Sequence, residues 1–443
     1  MTKIVHIVHC IDTEGPLNES LKTTFDRLKT IFNIKLKPTK KNLKRLQNQE
    51  INLGDTSSLV ANTFSKKLLN YNNSWKKIKK MQTKLLSKKF RNKYLDSFGR
   101  GWKYNWFITD HVGFEKNPNK RALGYHKIWN NYKNFYKKNN FNDGFHFHHH
   151  PIPFSKRADH SSTHFFNHSP KIFEILSRKI LDLKWFPSVF RPGFHSIRPD
   201  SHWFLEQFIP FDISNQRTNI LEKNQKDLAS GRFGDWRRAP LTWQCYHPDH
   251  DDYQKKGNCR RWTARCLNIG TRVRVLTEKD VELAFKEAKK NKAVILAFAN
   301  HDYRDMEQDI KDVYFKIKKI SKKYPEIKFK FCEAREALRN SLKLKKRNLK
   351  FKQEFNNNTL YIKSNKKIFG PQPFLSIKTK NKKYFHDNFD IQKPFYEWTY
   401  TFDKNSIELK NIKSVGWAAN DDYGSTYVTI LDTKNKKFKK YER

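Results

Sequence analysis

Cysteine, glycine and long apolar runs are all scarce in this chain. Its five cysteines are an odd number and include no C-x-x-C pair, which argues against a disulfide framework and against a zinc knuckle. No window holds the roughly 18 consecutive apolar residues that a membrane-spanning helix needs. Residues 1–12 are too short and too often interrupted by histidine for the apolar region of a signal peptide. We therefore expect reduced thiols, no integral membrane segment, and a cytoplasmic or membrane-peripheral location.

Acidic residues are also few. The chain has 44 Asp and Glu against 90 Lys and Arg, which gives a formal net charge of +46. Such an excess favours a polyanionic partner, namely nucleic acid, anionic lipid or an acidic glycan. The lysines are spread along the whole chain, and no zinc-finger or RNA-recognition signature accompanies them, which disfavours nucleic acid. We therefore expect the partner to be an anionic membrane surface or an acidic glycan.

The chain is nevertheless rich enough in apolar residues to fold. Its 443 residues are 37% hydrophobic and 15% aromatic, which excludes a largely disordered protein. That length exceeds one average domain and predicts two domains, or one large α/β barrel with an appendage.

Apolar strands alternate with helical patterns through most of the chain. Residues 4–11, 144–148 and 293–299 have the composition of strands, and the last run is preceded by apolar residues at helical spacing. Continuous apolar strands that alternate with helices are typical of a parallel sheet covered on both faces. We predict an α/β fold with a (β/α) barrel over residues 1–340.

Two regions depart from this pattern. Residues 35–100 are strongly basic, with scattered apolar residues, and predict a mostly helical insertion that is either a lid or docking element or a solvated surface segment. Short alternating runs over residues 341–443 predict a small β-rich accessory domain. In this region Tyr396, Trp398 and Tyr400 alternate along the sequence, which places all three on one side of a strand. They could form a sugar-stacking face, but the pattern favours a packed core.

Polar side chains follow the ends of the predicted strands. In a parallel barrel the carboxyl ends of the strands build the active site, so these side chains are expected to converge. His146 and His150 are candidate ligands of one divalent ion, although a His run is also compatible with a polar surface loop. Asp212 is equally compatible with a helix N-cap. The residues expected at this end of the barrel are Asp12, His146, His150, Arg191, Asp212 and His301.

Five short segments occur in a characteristic order: Cys10–Glu14, His146–Pro151, Phe190–Gly193, Phe211–Ser214 and Leu296–Asp302. Their residue types and order resemble the polysaccharide deacetylases with the NodB-type homology domain, and among them the branch linked to surface-polysaccharide synthesis. The resemblance spans roughly residues 1–340. It implies the distorted (β/α) barrel of that family and a metal-dependent hydrolase.

The resemblance also implies roles for individual residues. Asp12 would be the general base, His146 and His150 the metal-binding imidazoles, and His301 the general acid toward the leaving amine. Arg191 would orient Asp12 and lower the pKa of its carboxyl group.

The chain departs from the family at one position. Thr13 stands where a second aspartate usually serves as the third metal ligand, and Glu14 follows it. Either Asp12 binds the metal, or Glu14 substitutes for the missing ligand, or the site is degenerate. Zinc is the expected cofactor, with nickel, cobalt, manganese and iron as alternatives, and Asp212, Asp302 and Trp106 are the predicted substrate-binding residues.

These patterns predict a carbohydrate N-deacetylase that acts on a cell-surface polysaccharide or its precursor. One alternative is a non-catalytic glycan-binding or scaffold protein on a degenerate barrel. A nucleic-acid-binding protein is a further alternative, supported by charge alone.

Overall fold

A computed structural model describes residues 3–139, 143–160, 171–219, 233–290 and 292–442. The first part of the chain forms one parallel sheet of eight strands, in the order β2-β3-β4-β5-β6-β7-β1-β8. The strands are β1 (Lys3–Thr13), β2 (Asn105–Ile108), β3 (Gly144–His149), β4 (Val189–Pro192), β5 (Phe211–Asn215), β6 (Trp262–Asn268), β7 (Val294–His301) and β8 (Ile327–Phe331).

Strand β1 closes this sheet into a barrel. One of its edges pairs with β7 from Val5 to Asp12. On the other edge, its first half pairs with β8 and its second half, from Cys10 to Thr13, pairs with β2. Strands β1 to β7 therefore form a closed seven-stranded barrel, and β8 adds an eighth strand at the amino end. The predicted α/β barrel is confirmed at this level.

Helices cover the outside of the barrel, as the alternating pattern predicts. The helices in the described parts of the chain, including those of the insertion and of the amino end, are α1 (Leu21–Phe32), α2 (Lys40–Gln47), α3 (Ser57–Thr63), α4 (Lys66–Leu69), α5 (Trp75–Leu86), α6 (Lys88–Arg91), α7 (Lys127–Asn139), α8 (Lys171–Leu183), α9 (Pro199–Phe208), α10 (Glu278–Lys289), α11 (Glu307–Ser321) and α12 (Ala334–Ser341).

Helix α12 closes the amino end of the barrel. Its Ala334, Ala337 and Leu338 are fully buried in the cluster that fills the barrel interior. The backbone N–H of Ala334 donates to Asn105 Oδ1, at the start of β2 (2.8 Å). A cleft opens at the opposite, carboxyl end of the barrel.

The basic insertion folds into α2 to α6, as the sequence predicts. Helices α1, α2 and α3 share a small apolar core, and α5 packs Ile78, Leu85 and Leu86 onto the barrel's outer cluster. Ser74 caps α5 by accepting a hydrogen bond from the backbone N–H of Lys77. The lysines of α5 lie on its exposed side.

The C-terminal region contains two antiparallel sheets, in the orders β13-β14-β10-β9 and β12-β11-β15-β16-β17. Trp398 and Tyr400 are buried between them, which favours the packed-core interpretation of these aromatic residues. The strands are β9 (Phe351–Asn356), β10 (Thr359–Ser364), β11 (Phe374–Thr379), β12 (Tyr384–Asp387), β13 (Asp390–Lys393), β14 (Glu397–Thr401), β15 (Ile412–Asn420), β16 (Thr426–Asp432) and β17 (Lys437–Glu442).

The second of these sheets packs against α8 of the barrel. Phe374, Ala418 and Val428 from this sheet belong to the same apolar cluster as the helices outside the barrel. Among the described residues, no helix has the length and apolar character needed to cross a membrane.

Candidate metal centre

Strands β1 and β3 bring three potential ligands together at the carboxyl end of the barrel. Glu14 immediately follows β1, and His148 and His150 lie at the end of β3. One ligand atom from each of these buried side chains lies within 4.8 Å of the other two. Two imidazoles and a carboxylate are a common ligand set for zinc and for other divalent transition metals.

The hydrogen bonds orient the imidazole of His148 toward this cluster. Its Nδ1 lies 2.9 Å from the carbonyl oxygen of Arg191, which fixes Nδ1 as the donor and leaves a lone pair on Nε2. That Nε2 is 3.0 Å from Nε2 of His150, which is in turn 3.2 Å from Glu14 Oε1. The two nitrogens and the carboxylate oxygen therefore converge on one point, where a proton or a cation must separate them. The residues present fit a divalent cation.

Arg121 is the charged partner of Glu14. Its guanidinium binds Glu14 Oε2, and both side chains are almost fully buried. Burial by itself would raise the pKa of Glu14, but Arg121 and then His150 outweigh it and hold that pKa well below its usual value. Glu14 is therefore ionised at neutral pH, as a metal ligand must be.

Asp12 lies beside this cluster with a buried cation of its own. Arg191 Nε donates to Asp12 Oδ1 over 2.7 Å, and both side chains are nearly inaccessible to solvent. Burial raises the pKa of Asp12, but the opposing effect of Arg191, with smaller contributions from His148 and His301, is larger. The pKa of Asp12 therefore lies below its usual value. The carboxylate of Asp12 is thus ionised and held in one orientation.

His301 ends β7 on the other side of Asp12, because Asp12 and His301 are paired in the register of β1 and β7. Its Nε2 is 3.8 Å from Asp12 Oδ2 and 3.7 Å from Glu14 Oε1. Burial lowers the pKa of His301 to about 4, although Glu14 and Asp12 act in the opposite direction. The imidazole is therefore neutral at pH 7 until a reaction delivers a proton to it.

Asp302, a predicted substrate-binding residue, is fully buried and shapes the loop that carries Glu14. Its carboxylate accepts hydrogen bonds from the backbone N–H groups of Glu14 (2.9 Å) and Gly15 (3.0 Å) and from the hydroxyl of Tyr132 (2.8 Å). Asp302 thus positions a ligand in this structure.

His146 does not join the cluster, although it was a predicted metal ligand. Its Nε2 lies 3.1 Å from Glu333 Oε1 and 3.2 Å from Asn105 Oδ1, at the amino end of the barrel. His146, His148 and His150 alternate onto one face of the chain, but His146 is the deepest of the three, and its ring points away from the cleft. The sequence analysis did not select His148. Its position two residues before His150 could have identified it, because residues two apart on a strand lie on the same face.

Two predicted substrate-binding residues face away from the barrel interior. Trp106 is fully buried among Tyr104, Tyr132 and Tyr136, in the layer between barrel and helices. Asp212 is flanked by the interior residues Phe211 and Ile213, and its Oδ2 is 3.7 Å from Arg261 Nε. Because neighbouring residues of a strand point to opposite faces, neither side chain reaches the cleft.

Gly193 allows His150 to approach the chain after β4. A Cβ atom at this position would lie 2.5 Å from Cγ of His150, closer than real contacts permit. Gly193 belongs to one of the five segments that carry the resemblance, but nothing in the sequence linked Arg121 to the ligands, because a loop distant along the chain brings it to Glu14.

A cleft of about 330 Å³ opens over the cluster. Asp12, Glu14, His150 and His301 form its floor. Its walls include residues of α1, of the insertion and of the segment after β7, such as Arg27, Thr63, Leu68, Tyr71, Tyr303 and Arg304. The insertion therefore forms one wall of the cleft.

No family model, no curated protein and no solved structure matches the chain.

Proposed function

We propose that the protein is a divalent-metal-dependent hydrolase that removes N-acetyl groups from a carbohydrate. The observation that carries the proposal is the convergence of Glu14, His148 and His150 beside the buried Asp12–Arg191 pair. Hydrolysis of an acetamide needs a Lewis acid, a base for water and an acid for the leaving amine. The floor of the cleft offers a group for each of these roles.

A divalent ion held by Glu14, His148 and His150 would supply Lewis acidity toward the acetamide carbonyl oxygen and toward water. Asp12 is suited to accept the proton of the attacking water, because Arg191 keeps its carboxylate ionised and oriented. Arg191 is itself fixed by donating to the carbonyl oxygen of Ile213 (3.1 Å), so the base cannot swing away.

His301 is suited to pass a proton to the leaving amine. Its imidazole is neutral in the resting site, and its Nε2 faces the Asp12 carboxylate. The proton that Asp12 takes from water can thus be relayed to His301 and then to the amine nitrogen. This leaves the acetate and the free amine as products.

The resemblance to polysaccharide deacetylases supports the proposal, with Glu14 in the place of the usual second aspartate and His148 in the place of His146. Zinc is the proposed ion, and an N-acetylated surface polysaccharide or its precursor is the proposed substrate. A positive charge of +46 would favour work at an anionic membrane surface or on an acidic glycan.

The test combines metal content with product release. Purified protein should carry close to one equivalent of zinc or a related ion by inductively coupled plasma mass spectrometry. A His148→Ala/His150→Ala double variant should carry none. The wild-type protein should release acetate from N-acetylglucosamine oligosaccharides, measured by a coupled acetate assay. Protein that stays metal-free after zinc is added back would contradict the proposal and favour a non-catalytic glycan-binding protein.

A further inference from the structure

Most of the acidic side chains in the cleft already have an arginine partner. A paired carboxylate and guanidinium are close to neutral together, so these arginines offer little net charge to a ligand. The pairs are Glu14–Arg121, Glu19–Arg27 at 2.9 Å and Asp159–Arg157 at 2.9 Å.

Arg304 lines the same cleft without such a partner. Within the described parts of the chain, no carboxylate oxygen lies within 4.0 Å of its guanidinium nitrogens. Its Nε donates to the carbonyl oxygen of Leu68 (3.3 Å). Its guanidinium carbon is 5.4 Å from the ring centre of Tyr71 and 5.2 Å from that of Tyr303. The charge of Arg304 is therefore stabilised by two aromatic rings and not by a directly paired carboxylate.

The insertion holds Arg304 in this position. The backbones of Tyr71 and Arg304 form an antiparallel bridge, and the N–H of Asn72 donates to the carbonyl oxygen of Tyr303 (2.7 Å). The side-chain amide of Asn72 also donates to the carbonyl oxygen of Arg304 (3.0 Å). The hydroxyl of Tyr71 is fixed by donating to Glu19 (2.7 Å). Arg304 is thus a preorganised cation.

Arg304 is also close to the reacting groups. It follows His301 by three residues, and its N–H donates to the carbonyl oxygen of His301 (3.3 Å). The ring of Tyr303 lies 4.7 Å from that of His301. A ligand with its acetamide at the cluster would therefore extend past Tyr303 toward Arg304.

We propose that Arg304 is a specificity-determining residue that binds a carboxylate or phosphate group carried by the N-acetylated glycan. The inference rests on the proposed function for the identity of the glycan. A guanidinium presents paired N–H donors that match the geometry of a carboxylate or phosphate, and such charge-assisted bonds are stronger than neutral ones. A neutral glycan would leave this cation without a partner.

Isothermal titration calorimetry on the 443-residue protein tests this proposal. The probes are a tetrasaccharide of alternating N-acetylglucosamine and glucuronate, N-acetylglucosamine 1-phosphate, and neutral chitotetraose. We expect the wild-type protein to bind at least one anionic probe about tenfold more tightly than chitotetraose. Whichever anionic probe binds identifies the source of the negative charge.

Arg304→Gln should weaken anionic binding about tenfold or more and leave chitotetraose binding unchanged, whereas Arg304→Lys should weaken it less. Arg45→Gln is the matched control, because it removes the same charge from an exposed position on α2 outside the cleft. Equal binding of anionic and neutral probes, no binding of either anionic probe, or equal effects of Arg304→Gln and Arg45→Gln would overturn the inference.

Because calorimetry needs no turnover, the two proposals fail separately. An Arg304-dependent preference for an anionic probe without any acetate release would reject the deacetylase and keep the anion site. Acetate release at equal rates from neutral and anionic glycans would keep the deacetylase and reject the anion site.

Discussion

Strand β3 places buried imidazoles at both ends of the barrel, and the two ends surround them differently. At the carboxyl end, His148 and His150 meet each other and Glu14, with ligand atoms directed at one point below a cleft. At the amino end, the Nε2 of His146 meets Glu333 and Asn105, beneath α12. The position of a histidine along β3 therefore decides its role. Histidines at the carboxyl end are candidate ligands, whereas the one at the amino end stabilises the fold, and the spacing of the His run alone does not tell them apart.

Removal of a ligand should have the largest effect. His150→Ala takes away one of three converging ligand atoms, and we expect metal content to fall from near one equivalent to near zero, with acetate release lost as well. His148→Ala should behave in the same way. His146→Ala should retain the metal, and elemental analysis after gel filtration separates these outcomes. Equal loss of metal in His146→Ala would place His146 in the cluster.

The groups beside the ligands should affect turnover and leave the metal in place. Asp12→Asn keeps the shape of the side chain but removes the base, so acetate release should fall by roughly 10²- to 10⁴-fold. His301→Ala should fall within the same range, because it removes the proposed proton donor. Elemental analysis of both variants should give wild-type metal content, and a variant that lost its ion would show that its side chain is a ligand.

Alanine substitutions at two glycines would crowd the imidazoles at opposite ends of β3 and so compare the two ends. A Cβ at position 193 would lie 2.5 Å from the ring of His150, and one at position 144 would lie 2.4 Å from Nε2 of His146. Gly193→Ala should weaken zinc binding about tenfold by displacing a ligand, measured by competition with a chelating dye. Gly144→Ala should leave zinc binding unchanged and lower the free energy of unfolding by about 1–3 kcal/mol. Reversed effects would contradict the assignment of the two ends.

The smallest expected effect is a pH dependence at the amino end. Burial raises the pKa of Glu333, but the hydrogen bond and charge of His146 outweigh it and leave that pKa far below the usual value. The stabilising contribution is therefore present above about pH 4.3, the pKa of an unfolded glutamate, and is lost as pH falls through the lower folded pKa. Glu333→Gln should lower Tm by ~2 °C at pH 7.

The Tm difference between wild type and Glu333→Gln should shrink as the pH is lowered toward 3, measured by differential scanning calorimetry. A difference that stays constant with pH would show that Glu333 acts mainly by accepting the N–H of Glu336 at the start of α12 (3.1 Å) and not through its charge.

Several features were predictable because they depend on local patterns. Continuous apolar runs such as 293–299 indicated buried parallel strands, and polar residues after them indicated the end at which a cleft would open. The lack of any strand-like run in the insertion likewise favoured helices. Asp12, His150, Arg191 and His301 meet at the carboxyl end because parallel strands all end on that side.

The remaining features depend on register and on contacts between distant segments. Whether His146 or His148 reaches the cluster is decided by the pairing of Gly144 with Asn105, which sets the height of β3 in the barrel. The outward direction of Trp106 follows from alternation only once the structure shows that Phe107 faces the barrel interior. Arg121 and Arg304 gained their roles through loops and through the insertion, which carry no periodic signal.

The packing of α8 has a consequence for how this protein can be taken apart. Its apolar side lies against β11, β12 and β15, and its Arg178 is stacked between Tyr125 of the barrel and Tyr384 of the C-terminal sheet, 3.9 and 4.0 Å from the two ring centres. A chain truncated at residue 341 would expose that side of α8 to water, and the resulting hydrophobic patch would promote aggregation. The sheet that contains β11, β12 and β15 therefore covers α8 on the outside of the barrel, and expression of residues 1–341 alone should give less soluble protein than expression of the whole chain.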